Sequence, residues 1–287
     1  MKLMRRIQLP YVLLAPTLIF LALFFFVPLV QVIGTAFRSS GGDFTLAHFR
    51  RLVDDIYFAD AVKNTLKLAI FIIPIQLVVA FLAALMINTQ RPGSTLLLYI
   101  YAIPLGISDL AAGIIWLSIF TERGYLNSLL HNVGILERPM LYLSSRSPEW
   151  LAAAVVITEV WRATPLVMVM LLSGLQMIAK DYLEAADIFG CTWWQKVRYV
   201  ILPLLKPSIQ SALIMRTILA FQVFGPIVVL AGRLLPVLAS ESYHWYAAIR
   251  NEHIASAYAL ILMVLSVVVT WSYLLLLKTK EEQLGVM

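Results

Sequence analysis

Four charged residues stand inside stretches that are otherwise apolar: Asp109, Glu159, Arg162 and Arg216. A charge at the centre of a membrane-spanning helix costs at least about 2.5 kcal/mol unless it is paired or hydrated, so such residues either neutralise one another or serve a polar cargo. Pairing is available by spacing. Glu159 and Arg162 are three residues apart on one helix face, which leaves Asp109 to pair with Arg216. Cargo is the other use, because a carboxylate or a guanidinium fork engages two neighbouring hydroxyls at once in a site that excludes bulk water. That reading gives Asp109, Arg162 and Arg216 to a hydroxyl-rich solute and leaves Glu159 to orient Arg162.

Other chemistries lack their residues. His48, His131, His244 and His253 are dispersed, and Cys191, the one cysteine, has no ligand-spaced histidine beside it, so neither a metal site nor an internal disulfide is expected. Ser144, Ser145 and Ser147 sit with Arg146 in a polar stretch that has no Gly-x-Ser-x-Gly elbow. The phosphate-cradling Gly-x-x-x-x-Gly-Lys-Ser/Thr loop is also missing. The expectation is a chain that is not an enzyme, has no ATPase site and holds no cofactor of its own.

The elements that must position these charges are membrane helices. Hydrophobic residues make up 61% of the 287 and charged ones 13%, and the mean hydropathy is +0.86. Such a chain has too little polar surface for a soluble domain. About 20 apolar residues cross the hydrocarbon core, and six nearly uncharged stretches reach that length: 10–37, 68–87, 95–120, 151–175, 207–231 and 254–277. The first follows Lys2, Arg5 and Arg6; it is too long for a signal h-region and lacks a small-residue cleavage site, so it reads as a retained span. The turn Asn88–Gly93 separates the second and third stretches, and no further boundary or repeat divides residues 1–287, which read as a single transmembrane domain. The net charge of +6 is scattered between apolar runs rather than gathered on one face, which fits anionic inner-leaflet lipid and not nucleic acid. With the N-terminus inside, every lysine except Lys63 and Lys67 falls on the cytoplasmic side, so both termini are placed in the cytoplasm.

Between the fourth and fifth stretches, residues 177–206 are too polar to span and too patterned for a slack loop. Tyr182, Ala185, Ala186 and Phe189 share a helical face, and Asp181, Glu184 and Asp187 mark another. Gly190 supplies a left-handed helix end. Thr192 with Gln195 forms a capping box, so a second short helix should start there and stop before Pro203. On pattern alone this element either seals the bundle from the membrane interface or offers a docking surface.

The letters favour docking. Glu184-Ala185-Ala186, then Gly190, then Ile201-Leu202-Pro203 resembles the signature loop of the permeases of binding-protein-dependent importers, in which the first short helix inserts into a groove on a separate ATPase and transmits its closure. The resemblance spreads over nearly the whole chain: Leu13-Leu14-Ala15-Pro16, Pro28-Leu29, Asn64-Thr65, Gly124 with Leu126-Asn127, Trp161-Arg162-Ala163-Thr164-Pro165, Leu175-Gln176, Leu202 to Pro207, Arg216-Thr217 and Ala220-Phe221 are similar to the carbohydrate-uptake branch, with a maltose-F or lactose-F type of opening. It implies an all-α membrane protein with six transmembrane helices and a cytoplasmic coupling-helix loop between spans 4 and 5, the type I ABC importer permease fold, in a prokaryotic cytoplasmic membrane. It further implies a second, maltose-G-like permease, two ATP-binding subunits that hold ATP and magnesium, an extracytoplasmic solute-binding protein, and a mono-, di- or oligosaccharide as cargo. Coupling would fall to Tyr182, Glu184, Ala185, Ala186, Asp187 and Gly190. Sugar contact would fall to Leu105 and Asp109 on the third span, Arg162, Ala163 and Leu166 on the fourth, and Arg216, Ala220 and Val223 on the fifth. Three departures stand against that branch: Gly225 where an acid is common, Ala231-Gly232-Arg233 in place of a glycine-rich turn with proline, and Phe189 in place of an aspartate. The rival reading is an ion-coupled secondary transporter of a small polar solute with Asp109 and Glu159 as relay groups. Six spans without an internal repeat suit it poorly. A membrane-embedded enzyme would need a catalytic cluster that the sequence lacks.

Overall fold

A computed structural model describes residues 2–39, 41–89 and 91–276, with residues 2–10, 274 and 276 described by backbone alone. Leu277, at the end of the sixth predicted stretch, and Lys278 and Lys280 lie outside the described residues. The described chain is helical, and its one β contact is an isolated bridge between Arg38 and Phe44. The first span is α1 (Lys2–Leu21), a widened π turn at Ala22–Phe26, and α2 (Val27–Phe37). Almost none of it is buried by the rest of the chain. It is fastened at the far end of α2, where Ala36 is buried and His253 Nδ1 donates to the Thr35 carbonyl at 2.9 Å.

After α3 (Ala47–Val53), the long α4 (Phe58–Asn88) carries Pro74 in its interior. It runs beside α8, described below, as the central pair of the bundle. Near their shared end, Ala80, Ala83 and Ala84 pack on Met168, Leu171 and Leu172. Small residues let two backbones approach where lipid gives no hydrophobic drive to associate.

The third predicted stretch is not one helix. α5 (Ser94–Ala102) passes through a 3-10 turn at Ile103–Gly106 and restarts as α6 (Asp109–Phe120), with the axis turned by 104°. Pro104 and Gly106 disrupt the first helix, and Ser108, extended at ψ 157°, caps the second by accepting from the Ala111 N–H at 3.3 Å. A pattern of apolar residues cannot show such a bend, because both arms are equally apolar.

α7 (Tyr125–Asn132) lies in the following connection, and α8 (Pro148–Gln176) is the fourth span. The loop then folds as α9 (Lys180–Ile188) and α10 (Trp193–Lys196). Contrary to expectation, the second helix does not stop before Pro203. It widens into a π turn at Val197–Ile201 and continues as α11 (Leu202–Phe221), with right-handed helical dihedrals at both joints, Lys196 and Ile201. Pro203 has no N–H to give, and the loosened turn just before it lets the rod pass the ring. The fifth predicted stretch, 207–231, ends early as a helix at Phe221; residues 222–224 interrupt it, and Gly225 and Pro226 restart the helical backbone that leads into a π turn at Ile227–Ala231, which folds onto α6. α12 (Leu238–Ala247) and α13 (Glu252–Leu276) complete the fold. Among the described residues four helices are long and apolar enough to cross a bilayer, or five with the bent pair. α11, in the fifth predicted stretch, is not among them.

Opposite the 177–206 loop, Leu52, Leu238, Ile254 and Tyr258 form a small core. Asp55 ties it by accepting from Trp245 Nε1 at 3.0 Å and from the Tyr258 hydroxyl at 2.9 Å.

Candidate functional site

The four intramembrane charges meet. Arg162 stands at the midpoint of α8, and Glu159, one turn earlier, is 0% exposed. Burying a carboxylate that completely requires partners of opposite charge. Glu159 has two, joined by three hydrogen bonds: its Oε1 accepts from Arg162 Nη2 at 2.8 Å and from Arg216 Nη2 at 2.7 Å, and its Oε2 from Arg162 Nε at 3.2 Å. The remaining fork of Arg162, Nη1, reaches Asp109 Oδ1 at 2.9 Å.

The pairing thus differs in one respect from what spacing suggests. Glu159 and Arg162 do neutralise each other, but Asp109 pairs with Arg162 rather than with Arg216. The bend before α6 brings the first residue of that helix over α8, while Arg216 is taken from the other side. Its Nε donates to Gln76 Oε1, and Gln76 Nε2 donates to the Glu159 carbonyl at 2.8 Å. Gln76, fully buried on α4, went unread in the sequence. Its signal was available, since it is the one polar side chain between Leu68 and Ile87. Arg216 Nη1 is buried without a hydrogen-bond partner among the described residues.

Exposure grades across the network. Glu159 and Arg216 are 0% and 2% exposed, Arg162 is 20%, and Asp109 is 45%. Gly225 explains how Asp109 is held: a Cβ there would lie 2.6 Å from the Asp109 carbonyl carbon and 2.8 Å from the Leu110 nitrogen. Glycine at 225 is therefore the condition for the interrupted end of the fifth stretch to seat against the start of α6. Leu105 lies exposed on the 3-10 turn, and Leu166 is half-buried on α8. Ala163 is buried, as are Ala220 and Val223, which pack in apolar clusters with Ala69 and Ile73 and with Leu68 and Ile72 respectively. The structure brings Asp109, Arg162 and Arg216 together, with Glu159 and Gln76 behind them.

The loop has the architecture its letters predict, with one difference of face. Phe189 closes α9, the Gly190 N–H donates to the Asp187 carbonyl, and the Cys191 N–H donates to the Ala186 carbonyl, both at 2.9 Å. Those two bonds make the Schellman ending of a helix, which requires a left-handed residue, and Gly190 stands at φ +72°. Nothing lies within 4 Å of a Cβ built there, so the backbone angle and not space demands glycine. The Thr192–Gln195 capping box is complete, and Lys196 pairs with Asp187 across the break. Of the apolar set on α9, Ala186 is seated on the rest of the chain, whereas Tyr182, Ala185 and Phe189 remain exposed beside Glu184. Trp193 and Trp194 extend this exposed aromatic surface. Together these side chains form a surface that the rest of the chain leaves uncovered.

Comparison with known proteins gives consistent matches. Residues 76–281 match the family described as binding-protein-dependent transport system inner membrane component. The chain is 32% identical to the sulfoquinovosyl glycerol transport system permease protein SmoG of Agrobacterium fabrum, across 94% of this chain and 90% of the relative. It is 30% identical to the trehalose/maltose transport system permease protein MalF of Thermococcus litoralis, across 79% and 78%. Among solved structures, a chain of a bacterial ABC transporter involved in the import of the acidic polysaccharide alginate superposes with a TM-score of 0.85 at 23% identity, covering 96% of this chain and 97% of that one. That likeness establishes a shared fold.

Proposed function

We propose a function from one premise: the chain belongs to the binding-protein-dependent transport system inner membrane components, the multi-pass permeases of ABC importers. It forms half of the translocation pathway for a sugar, beside a second, maltose-G-like permease. Two ATP-binding subunits supply ATP and magnesium, a solute-binding protein delivers the cargo from outside, and both termini lie in the cytoplasm of a prokaryotic cell. Relatives named for sulfoquinovosyl glycerol and for trehalose or maltose support a carbohydrate cargo.

The observation that carries the coupling role is the continuity of the rod that follows Gly190. From Trp193 the helix runs without a break through α11 to Arg216. At 1.5 Å per residue that is a lever of roughly 35 Å. α9, held at a set angle by the Schellman ending and by Lys196 on Asp187, presents Tyr182, Glu184 and Phe189 to the ATPase. When the ATPase closes, the displaced α9 carries the rod with it and shifts Arg216 against Glu159 and Gln76. Asp109 and Arg162, on the exposed side of the charge network, offer the polar contacts for the sugar, and Leu105 and Leu166 the apolar ones; Ala163, Ala220 and Val223 border it from within the packed core.

The ion-coupled alternative fits less well. A relay carboxylate must exchange its proton, and Glu159 is wholly buried under two guanidiniums. Cysteine at Glu184 in the assembled complex tests the coupling assignment. It should cross-link to the ATP-binding subunit, and failure to do so in every nucleotide state would remove α9 from that role.

A further inference from the structure

Two charged residues at the membrane boundary take no part in the charge network. Lys67, on α4, is one of the two lysines that fall on the side away from α9, and it directly precedes the apolar stretch 68–87. Glu149, in the first turn of α8, stands two residues before the stretch 151–175. The two helices run side by side in the same direction: Leu68 and Ile72 share a cluster with Leu151 and Val155, and Ala80 and Ala84 share one with Met168 and Leu172. Lys67 and Glu149 therefore reach the hydrocarbon boundary at the same level. Both are exposed, and neither makes a hydrogen bond or ion pair with the other or with any described residue. Trp150, 50% exposed beside Glu149, marks the same level, because an amphipathic indole favours the headgroup zone.

Below these charges an open groove of about 480 Å³ lies between the two helices. Side-chain size opens it: Ala152 and Ala153 leave a gap on α8, walled by Phe71 and Ile75 of α4 and by Val156 and Ile157 of α8. Lys67, Phe71 and Ile75 recur every fourth residue on one face of α4, as Glu149, Ala153 and Ile157 do on α8. The groove thus carries one charge of each sign at its mouth and is apolar along its length. At about 30 Å³ for a water-sized group, it has room for roughly 15 such groups, the bulk of one acyl chain.

We propose that this groove binds one zwitterionic aminophospholipid, with its phosphate on Lys67, its ammonium on Glu149 and an acyl chain between α4 and α8. The lysine ammonium donates to phosphate oxygens, and the primary ammonium of the lipid donates to the carboxylate. A lipid with phosphate but no ammonium satisfies Lys67 alone and brings its negative charge up to Glu149. Ile75 adjoins Gln76, whose bond to the Glu159 carbonyl ties the same pair of helices, so the acyl chain braces α4 against α8 beside that tie.

The test is lipid binding to the delipidated full chain, alone and assembled with its partner subunits, in detergent micelles titrated with dioleoyl phosphatidylethanolamine or dioleoyl phosphatidylglycerol and read by native mass spectrometry. The wild type should take up one phosphatidylethanolamine in both forms, about fivefold more tightly than phosphatidylglycerol, the ratio that ~1 kcal/mol for one headgroup charge contact corresponds to. Glu149→Gln, an exposed change, should remove most of that preference, and Lys67→Gln should weaken binding of phosphatidylethanolamine by a similar factor. Ala153→Phe, which fills the groove and leaves both charges in place, should abolish the saturable site. Equal affinity of the wild type for the two lipids, a preference unmoved in Glu149→Gln, or a site present in the chain alone and lost on assembly, where the second permease would then cover the groove, overturns the proposal. None of these results depends on the cargo.

Discussion

Replacing Glu159 with glutamine isolates the group on which the buried network depends. Its carboxylate takes three guanidinium N–H bonds and is fully buried. The amide keeps the volume but loses the charge and turns one acceptor into a donor that faces Arg162 or Arg216. Arg216, 2% exposed, then has no counter-charge in contact. Removing one partner of a buried ion pair costs about 3–5 kcal/mol, because the remaining charge is left uncompensated. At roughly 2–4 °C per kcal/mol for a chain above 150 residues, the apparent unfolding temperature should fall by about 6 °C or more. Thermal unfolding of the purified complex reads this directly. Removing the charge at both positions, Glu159→Gln with Arg216→Met, should recover most of the loss, since a neutral pair of similar volume is often as stable as the ion pair. A single variant as stable as the parent, or a double variant whose loss is the sum of the two singles, would refute the pairing of Glu159 with Arg216.

Three further outcomes follow from the geometry. Gly190→Arg should abolish solute-stimulated ATP hydrolysis while the chain still inserts, because a left-handed residue with a Cβ costs about 1 kcal/mol or more; Gly190→Asn, which tolerates that angle, should retain most activity, and equal activity of the two variants would show that the φ of +72° is not needed. Gly174→Ala should destabilise the crossing of α8 with α11 by about 1–3 kcal/mol, since its Cβ would overlap the Ser208 side chain and sit 2.8 Å from Leu205 Cδ1; Ser208→Gly should relieve it in a thermal-shift measurement. Cysteines at Asp43 and Arg146 should react with an impermeant reagent from outside and a cysteine at Lys196 only from inside, and inner labelling at position 146 would overturn the topology.

Much of the site was legible because its parts are local. Gly190, Thr192 and Gln195 announce a helix end and a helix start within six residues, and the backbone obeys them. The intramembrane charges were legible as a set, since each is costly and none is placed without reason. Their pairing was not, because it depends on the 104° turn before α6, which no periodicity records. Gln76 was passed over because its role exists only across two helices, with Arg216 140 residues away in sequence. Pro203 misled in the opposite sense: a proline reads as a stop, and here a π turn carries the helix past it. For α9, spacing shows which residues share a face but not whether the chain itself covers that face: Ala186 is covered, and Tyr182, Ala185 and Phe189 are not. Gly225, which looked like a missing acid, is explained by its close approach to Asp109.

The central claim is that this chain moves solute only as a partner of a separate ATPase engaged through α9. The most direct measurement is uptake into proteoliposomes of the chain alone and of the chain assembled with its second permease, ATP-binding subunits and solute-binding protein. Uptake by the assembly that requires internal ATP and is lost in Gly190→Arg, with none by the chain alone under a proton or sodium gradient, is the predicted result. Gradient-driven uptake by the chain alone would contradict it.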